Sequence, residues 1–265
     1  MSPTPPVALT IAGTDSGGGA GLAADLKTFA RHGVHGVFAL TVATAQNTTG
    51  IAAVHPMPKD FVGEQIDAVT ADFHVKATKT GLLYSADAID EVIVRLDDLG
   101  PLVVDPVLVN GKGVPMLSDD VVSSYLERLI PVATVITPNV AEAELLSGVK
   151  ITDRQSGIDA AKALVDLGPA VVITGLLEER WAVDIVARGD DVEALEHKQV
   201  DTPNVLGTGC SLSAAITAAL ASSLPFDGAV YSAASFVLAG LESATTWRLG
   251  AGSGPIDQFA DPGAG

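Results

Sequence analysis

The chain has 265 residues, of which 48% are hydrophobic, and its 15 Lys and Arg against 32 Asp and Glu give a net charge of −17. The apolar content is enough for a large core and excludes a disordered chain, while the negative charge excludes non-specific binding to nucleic acid or to an anionic membrane. One cysteine allows neither an internal disulfide nor a thiolate zinc module.

Apolar runs and helical repeats alternate along most of the chain. The first run, VALTIAG, predicts a buried strand, and AGLAADLKTFARHG predicts an amphipathic helix that stops at Gly33. No basic segment precedes the first run, and no apolar stretch reaches the roughly 20 residues of a membrane span, so we expect an untargeted, cytoplasmic protein. The later strand and helix patterns are VHGVFALTVATA, KDFVGEQIDAVTADF, HVKATKTG, ADAIDEVIVRLDDLG, PLVVDPVLV, DDVVSSYLERLI, ATVITPN, SGIDAAKALVDLG and AVVITG.

This alternation predicts the fold class. Strands that are apolar throughout, separated by amphipathic helices, are typical of parallel strands covered on both faces. We therefore predict an α/β protein with a doubly wound, mostly parallel sheet.

The last part of the chain departs from the alternation. Two β-like runs around Gly189, Asp190 and Asp191 predict an antiparallel hairpin. The stretches GTGCSLSAAITAALASS and FDGAVYSAASFVLAGLESATTW predict two long helices, and residues 253–265 predict a coil-like tail. No linker, repeat or charge block interrupts the sequence, so we predict one domain over residues 1–265.

Ligands of such sheets bind beyond the carboxyl ends of the strands, where the first candidate stretches lie. AGTDSGGGAGLAADLK places a glycine-rich turn between strand and helix, which suits an anion site but equally a flexible turn, and it matches neither common nucleotide motif. Asp25 follows at the edge of the helix's apolar face, as a ligand contact or an ordinary boundary residue. In ATAQNTTG, Gln46 offers an amide donor and acceptor that suit a heteroaromatic ring, although loop amides are common.

Candidate metal and nucleotide residues follow later strands. In VVDPVLVNGKG, Asp105 could face a metal and the glycine-flanked Lys112 could close over a phosphate, or the segment is a turn with a solvated lysine. In ITPNVAEAELL, a capping box of Asn139 with Glu142 explains both residues without a metal.

The only cysteine lies at a helix start. Gly207, Thr208 and Gly209 before a long apolar helix would leave backbone N–H groups pointing at one spot, as in an oxyanion or phosphate cradle. Cys210 lies in the first turn, where a thiol pKa is expected to fall, so it could act as a base. The alternative is a small apolar filler.

Together these stretches resemble the hydroxymethylpyrimidine and phosphomethylpyrimidine kinases of thiamine biosynthesis, in the ribokinase-like superfamily. The resemblance implies ATP-dependent phosphorylation of the substrate's hydroxymethyl group and then of the monophosphate. The matching pieces, in the family's order over nearly the whole chain, are TIAGTDSGGGAGLAADLKTF, VATAQNTTG, KATKTGLL, VVDPVLV, ITPNVAEAELL, GTGCSLSAAI and GSGPIDQF.

The resemblance also implies residue roles, carried over by position. Gly13, Asp25 and Gln46 would line the pyrimidine site, with Leu82 and Val107 as apolar walls. Gly207, Thr208 and Gly209 would form the anion hole, and Cys210 stands at the place of the catalytic base. Asp105 and Glu142 would place Mg²⁺ and its waters, with Asn139 near the nucleotide, and relatives often form homodimers. Whether a monovalent cation assists stays open.

One departure concerns the nucleotide site. At the end of AVVITG, after Ile173, the family has a lysine, two glycines and a histidine, with the lysine on the ATP phosphates, whereas this chain has Thr174, Gly175, Leu176 and Leu177. Either Lys112 or Lys79 compensates, or transfer is slow, or the substrate differs.

Alternative functions follow from these features. A pyridoxal kinase shares the fold and the chemistry, and Cys210 with Gln46 favours the pyrimidine. A pyrimidine-binding protein that has lost efficient catalysis is favoured only by Thr174. A dinucleotide-dependent oxidoreductase fits least, because the glycine spacing and the partner acid are wrong.

Overall fold

The computed structural model describes residues 4–110 and 113–263. The strands are Val7–Ala12 (β1), His35–Leu40 (β2), Val42–Asn47 (β3), Gly50–Pro56 (β4), Val75–Thr80 (β5), Leu102–Val104 (β6), Val135–Ile136 (β7), Ala170–Glu178 (β8), Trp181–Arg188 (β9) and Asp191–Lys198 (β10). The helices are Gly21–Arg31 (α1), Lys59–Thr70 (α2), Ala86–Ile93 (α3), Asp119–Ser124 (α4), Val140–Ser147 (α5), Arg154–Val165 (α6), Thr208–Ala221 (α7) and Phe226–Ser243 (α8).

Contacts divide the chain into two compact units. Unit 1 consists of Met1–Pro101 and Val200–Gly265, and unit 2 consists of Leu102–Gln199. Both are α/β, with parallel strands and flanking helices, as the alternating pattern predicts. That the whole chain acts as one domain stays a prediction.

In unit 1, β1 lies between β5 and β2, and all three strands run parallel. The core beside them is built from small residues of α7 packed against α1. Ala214 and Ala218 of α7 are buried together with Phe29 of α1, Ala8 of β1 and Ala77 of β5. Alanines on this face bring the helix backbone close to its neighbours, which fixes where the first turn of α7 lies.

The predicted strand VHGVFALTVATA is wrong as a single element. It divides at Thr41, whose hydroxyl donates to the carbonyl of Leu82 at 2.6 Å, and the second half becomes β3. β3 pairs antiparallel with β4, a strand that the sequence pattern did not predict. Every residue of β4 is exposed, so no buried alternation marked it.

In unit 2, β6, β7 and β8 are parallel, and β9 and β10 continue the order as antiparallel strands. The predicted hairpin is confirmed, with Gly189 at φ +57° in its turn. The predicted strand PLVVDPVLV is shorter than expected and ends at Val104. Pro106 follows closely and has no N–H to continue a ladder.

The C-terminal segment is mostly irregular, as predicted, but it is packed into unit 1. Ile256 and Gln258 are buried, and Gln258 Nε2 donates to the carbonyl of Gly19 at 3.1 Å. Ile256 N also donates to the carbonyl of Leu206 at 3.1 Å. No helix within residues 4–110 and 113–263 has the length and apolarity to cross a membrane.

Candidate functional site

The first turn of α7 forms an open cradle in unit 1. Gly207 is the N-cap residue in the left-handed region, at φ +83°, and an added Cβ would collide with the carbonyl oxygen of Gly19. An added Cβ on Gly209 would meet no atom within 4 Å, so space lies open beside that residue. Thr208 fixes the turn through its hydroxyl, which donates to the carbonyl of Val205 at 2.6 Å. The first N–H groups of a helix have no intrahelical acceptor, so the turn is suited to an anion.

The glycine-rich turn after β1 is ordered by a residue that the sequence analysis missed. The carboxylate of Asp15 accepts hydrogen bonds from the backbone N–H groups of Gly17, Gly19 and Ala20, at 2.8, 2.9 and 3.0 Å. Gly21 follows at φ +55°, where a Cβ would collide with the carbonyl oxygen of Gly13. An aspartate just before a run of glycines signals such a side-chain-to-backbone turn and could have identified it.

Three predicted pyrimidine residues lie at the edge of this turn. An added Cβ on Gly13 would contact Val42 at 2.6 Å and Leu82 at 3.6 Å, so Gly13 and Leu82 are neighbours. The backbone of Gln46 is tied to the turn, because its N–H donates to the hydroxyl of Ser16 at 2.7 Å. The Gln46 side chain is half-buried, and its Oε1 accepts from the Thr44 hydroxyl at 3.3 Å.

Asp25 and Lys79 form a buried ion pair in unit 1. Both side chains are 0% exposed, and Lys79 Nζ lies 2.5 Å from Asp25 Oδ1. The Thr10 hydroxyl donates to Asp25 Oδ2 at 2.7 Å, and Lys79 Nζ also lies 3.5 Å from the backbone oxygen of Cys210. Asp25 is therefore a fully buried residue rather than a boundary residue. A contact of Lys79 with ATP stays a prediction.

Two carboxyl groups of unit 2 are buried close to one another. Glu142 forms the predicted capping box with Asn139, whose N–H donates to Glu142 Oε2 at 3.0 Å, and the N–H of Leu108 donates to Oε1 at 3.2 Å. Burial and, second, the negative charge of Asp105 raise the pKa of Glu142 to about 8, against the opposing backbone hydrogen bonds. Asp105 is itself 5% exposed. The Glu142 carboxyl group therefore caps α5 and also lies beside Asp105 in an acidic site.

The acidic site fits a magnesium ion that keeps most of its own ligands. Among the residues that the structure describes, no three His, Cys, Asp or Glu side chains come together as a metal cage. Mg²⁺ usually binds one or two carboxylates and takes waters and phosphate oxygens as its other ligands. Two buried carboxyl groups that repel one another match that requirement, because a cation removes the repulsion.

Two predicted nucleotide residues of unit 2, Asn139 and Thr174, meet where the segment after β7 runs beside the middle of β8. Thr174 pairs with Asn139 in a parallel bridge, and its N–H donates to the carbonyl of Pro138 at 3.0 Å. Thr174 lies in a bulge of β8, followed by Gly175 at φ +84° with open space around it. Val107 is half-buried and its N–H donates to the carbonyl of Asp105 at 2.9 Å. Lys112 lies outside the described residues.

The fold and these groups define a class of protein. A mostly parallel α/β fold, a helix start suited to an anion whose first turn carries Cys210, and a buried pair of carboxyl groups are features of small-molecule phosphotransferases of ribokinase-like architecture. Comparison with known proteins gives the family. Residues 15–257 match the family model for phosphomethylpyrimidine kinase. The chain belongs to this family.

Individual relatives agree with this assignment. The hydroxymethylpyrimidine/phosphomethylpyrimidine kinase of Bacillus subtilis is 42% identical over 258 residues, which cover 96% of this chain and 94% of that protein. An ADP complex of Bacillus subtilis pyridoxal kinase superposes with a TM-score of 0.90 at 38% identity, covering 97% of this chain and 98% of that one. A phosphomethylpyrimidine kinase from Clostridium difficile gives 0.78 at 35% identity, covering 88% and 97%.

These findings confirm the predicted family, the ribokinase-like fold and the assignment as a kinase. The oxidoreductase alternative is thereby wrong. The roles of individual site residues stay predictions.

Proposed function

We propose that the protein phosphorylates the hydroxymethyl group of 4-amino-5-hydroxymethyl-2-methylpyrimidine with ATP, and then phosphorylates the resulting monophosphate. The observation that carries the proposal is the α7 cradle, where Gly207 lets the chain pass close to Gly19 and Gly209 leaves open space in the turn that carries Cys210. The relatives named as hydroxymethylpyrimidine/phosphomethylpyrimidine kinases support the choice of substrate.

Recognition of the pyrimidine falls to residues of unit 1. The amide of Gln46 has a donor and an acceptor side by side, which match an aminopyrimidine edge. Gly13 lets the ring approach the backbone, because a side chain there would already collide with Val42. Leu82 supplies an apolar wall, and the role of Val107 as a second wall stays a prediction. Asp25 supports this site indirectly, since its two oxygens contact the buried groups Thr10 and Lys79.

Phosphoryl transfer then needs a base and an anion hole. In the proposed step, Cys210 takes the proton of the hydroxymethyl group while that oxygen bonds to the γ-phosphorus of ATP. The bond from the γ-phosphorus to the β–γ bridging oxygen breaks, and ADP leaves. Backbone N–H groups of Gly207 and Gly209 stabilise the charge that develops on the transferring group, and the N–H of Thr208 joins them when it leaves the carbonyl of Val205, to which it donates at 3.3 Å.

Asp105 and Glu142 are proposed to hold a magnesium ion, directly or through water. When bound, Mg²⁺ neutralises phosphate charge during the transfer. Asn139 and Thr174 are proposed to face the nucleotide, together with Lys112. Use of ATP is supported by the ADP complex of the related pyridoxal kinase. A monovalent cation stays a prediction.

A pyridoxal kinase is the second candidate function. It is favoured by the TM-score of 0.90 with Bacillus subtilis pyridoxal kinase. A pyrimidine-binding protein without turnover rests on Thr174 alone.

We further propose that the protein is cytoplasmic and forms a homodimer. The dimer is supported by the apolar side chains that unit 1 exposes at Phe38, Ile51 and Phe61, to 47%, 43% and 47%. Light scattering on the purified protein tests the dimer, which a monomer at all concentrations would contradict.

The direct test is ADP release with Mg²⁺ and three substrates in parallel: the hydroxymethylpyrimidine, its monophosphate and pyridoxal. We expect either pyrimidine to have the highest kcat/KM, and a Cys210→Ala variant to lose about 100-fold or more, as expected for a missing base. Pyridoxal as the best substrate would select the second candidate. Pyrimidine binding without ADP release would select the binding protein.

The cradle has its own test in Gly209→Ala. The added methyl group meets no protein atom within 4 Å and enters the open space of the proposed anion site. We expect kcat to fall at least tenfold, while the free energy of unfolding stays the same or rises by about 1 kcal/mol. Gly228→Ala in the first turn of α8 is the matched control, because its Cβ would make only ordinary contacts at 3.8 Å and 3.9 Å with Pro225. Equal activity of the two variants would contradict an anion site at Gly209.

A further inference from the structure

The buried ion pair of unit 1 raises the question of what it does. Asp25 and Lys79 are both 0% exposed, and the ammonium and the carboxylate are in contact. Removing two charges from water costs more than their attraction often returns, so such a pair is weak evidence for stability by itself. A role in holding a specific geometry is therefore the better explanation to examine.

The partners of Lys79 identify that geometry. Besides Asp25, its ammonium lies 3.5 Å from the backbone oxygen of Cys210. The hydroxyl of Ser213 donates to the same oxygen at 3.1 Å and to the oxygen of Gly209 at 2.8 Å. The ammonium is thus directed at the first turn of α7, from the protein interior and not from the open cradle.

Asp25 ties the ammonium to the strand that carries the glycine-rich turn. Its second oxygen accepts from Thr10 on β1 at 2.7 Å, and Asp25 itself lies on α1. The chain of contacts runs from β1 through α1 to Lys79 on β5 and ends on α7. One buried charge pair therefore connects the elements that surround the cradle.

We propose that Asp25 and Lys79 are positioning residues that fix the first turn of α7, so that the Cys210 thiol and the anion-binding N–H groups are correctly placed. This inference rests on the proposed function of that turn. It gives Lys79 a role through Cys210 rather than through ATP. Because the ammonium lies at the backbone carbonyl of Cys210, it acts on the conformation of the residue that carries the only thiol of the chain.

The test uses a charge-free double variant, Asp25→Asn with Lys79→Met. Removing both charges avoids an unpaired buried charge, so the variant is expected to fold, and the introduced amide oxygen still accepts from the Thr10 hydroxyl. We expect kcat to fall at least tenfold, with the KM for the pyrimidine changed less than threefold. Lys59→Met is the matched control, since Lys59 pairs with Asp87 at 3.5 Å on the surface.

A second readout does not depend on turnover. Because Cys210 is the only cysteine, the rate of its alkylation by iodoacetamide against pH reports this thiol alone. We expect the alkylation rate of the double variant to differ at least threefold from that of wild type at neutral pH, because the first turn of α7 is no longer held in place, and Lys59→Met to react like wild type. A folded double variant with kcat and alkylation both within twofold of wild type would overturn the inference.

Two further outcomes are informative. Ser213→Ala removes a second side-chain contact to the Cys210 oxygen, and we expect it to lower kcat less than threefold because Lys79 remains. A tenfold loss there would assign the positioning to Ser213 and overturn the inference even if the double variant does not fold. If wild type releases no ADP with any substrate, the proposed function fails, while the alkylation rates still decide whether the pair places the thiol.

Discussion

The two units handle buried acidic groups in opposite ways. In unit 1, Asp25 is fully buried with a lysine ammonium at 2.5 Å. In unit 2, Glu142 is buried beside another carboxyl group, Asp105, and its pKa is raised to about 8. In the first arrangement a group of the protein itself neutralises the carboxylate charge. In the second, a proton or a cation from solution would lower the repulsion between the two carboxyl groups. The difference supports the proposals that Asp25 has a positioning role and that Glu142 takes part in a metal site.

The largest expected effect comes from removing the counter-charge in unit 1, so that this unit also holds a buried charged group without a partner of opposite sign. Asp25→Asn alone leaves the Lys79 ammonium buried without its counter-charge, so we expect a loss of about 3 to 5 kcal/mol in the free energy of unfolding. Urea denaturation followed by circular dichroism measures it. A loss below about 1 kcal/mol would show that water or another acid compensates the Lys79 charge in place of Asp25, and that the ion pair is not isolated from other groups.

The next effect concerns pH in unit 2. Because the pKa of Glu142 is raised from 4.5 to about 8, its contribution to stability is fully present below pH 4.5 and is lost as the pH rises to about 8. We expect the metal-free protein to lose up to about 5 kcal/mol of unfolding free energy over this window.

Glu142→Gln is the control for that measurement. The variant keeps an acceptor for the N–H of Asn139 but cannot ionise, so its unfolding free energy should change less with pH between 4.5 and 8. Millimolar Mg²⁺ should also make the unfolding free energy of wild type depend less on pH, as in the variant, because a cation removes the repulsion from Asp105. Identical profiles for wild type and variant would mean that Glu142 does not titrate in this window.

The smallest effect comes from adding a cation to unit 2. Thr174→Lys restores the side chain that the family has at this place, on a backbone already fixed by the carbonyl of Pro138 at 3.0 Å. We expect the KM for ATP to fall about tenfold, equivalent to roughly 1.4 kcal/mol, with the KM for the pyrimidine unchanged. An unchanged KM for ATP would mean that Thr174 does not face the phosphates.

The sequence predicted the buried strands, the hairpin and the two long helices, because their apolar periods and turn residues are local signals. β4 was missed since its residues are all exposed and carry no alternating pattern. The Asn139 and Glu142 capping box was predictable from spacing alone. The contact between Asp25 and Lys79 was not, because the two residues are 54 positions apart and only the packing of α1 against the sheet unites them.

The division of the chain also bears on how the protein is made. Unit 1 is interrupted, because β1 and α1 are synthesised before unit 2 while α7 and the buried segment around Ile256 follow it. During translation the apolar surface of the early strands of unit 1 stays uncovered until α7 and α8 have been synthesised. Unit 2 is continuous and has no such delay. Contacts between distant parts of a chain form slowly, so the folding of unit 1, and with it the completion of the α7 cradle, is expected to be the late step.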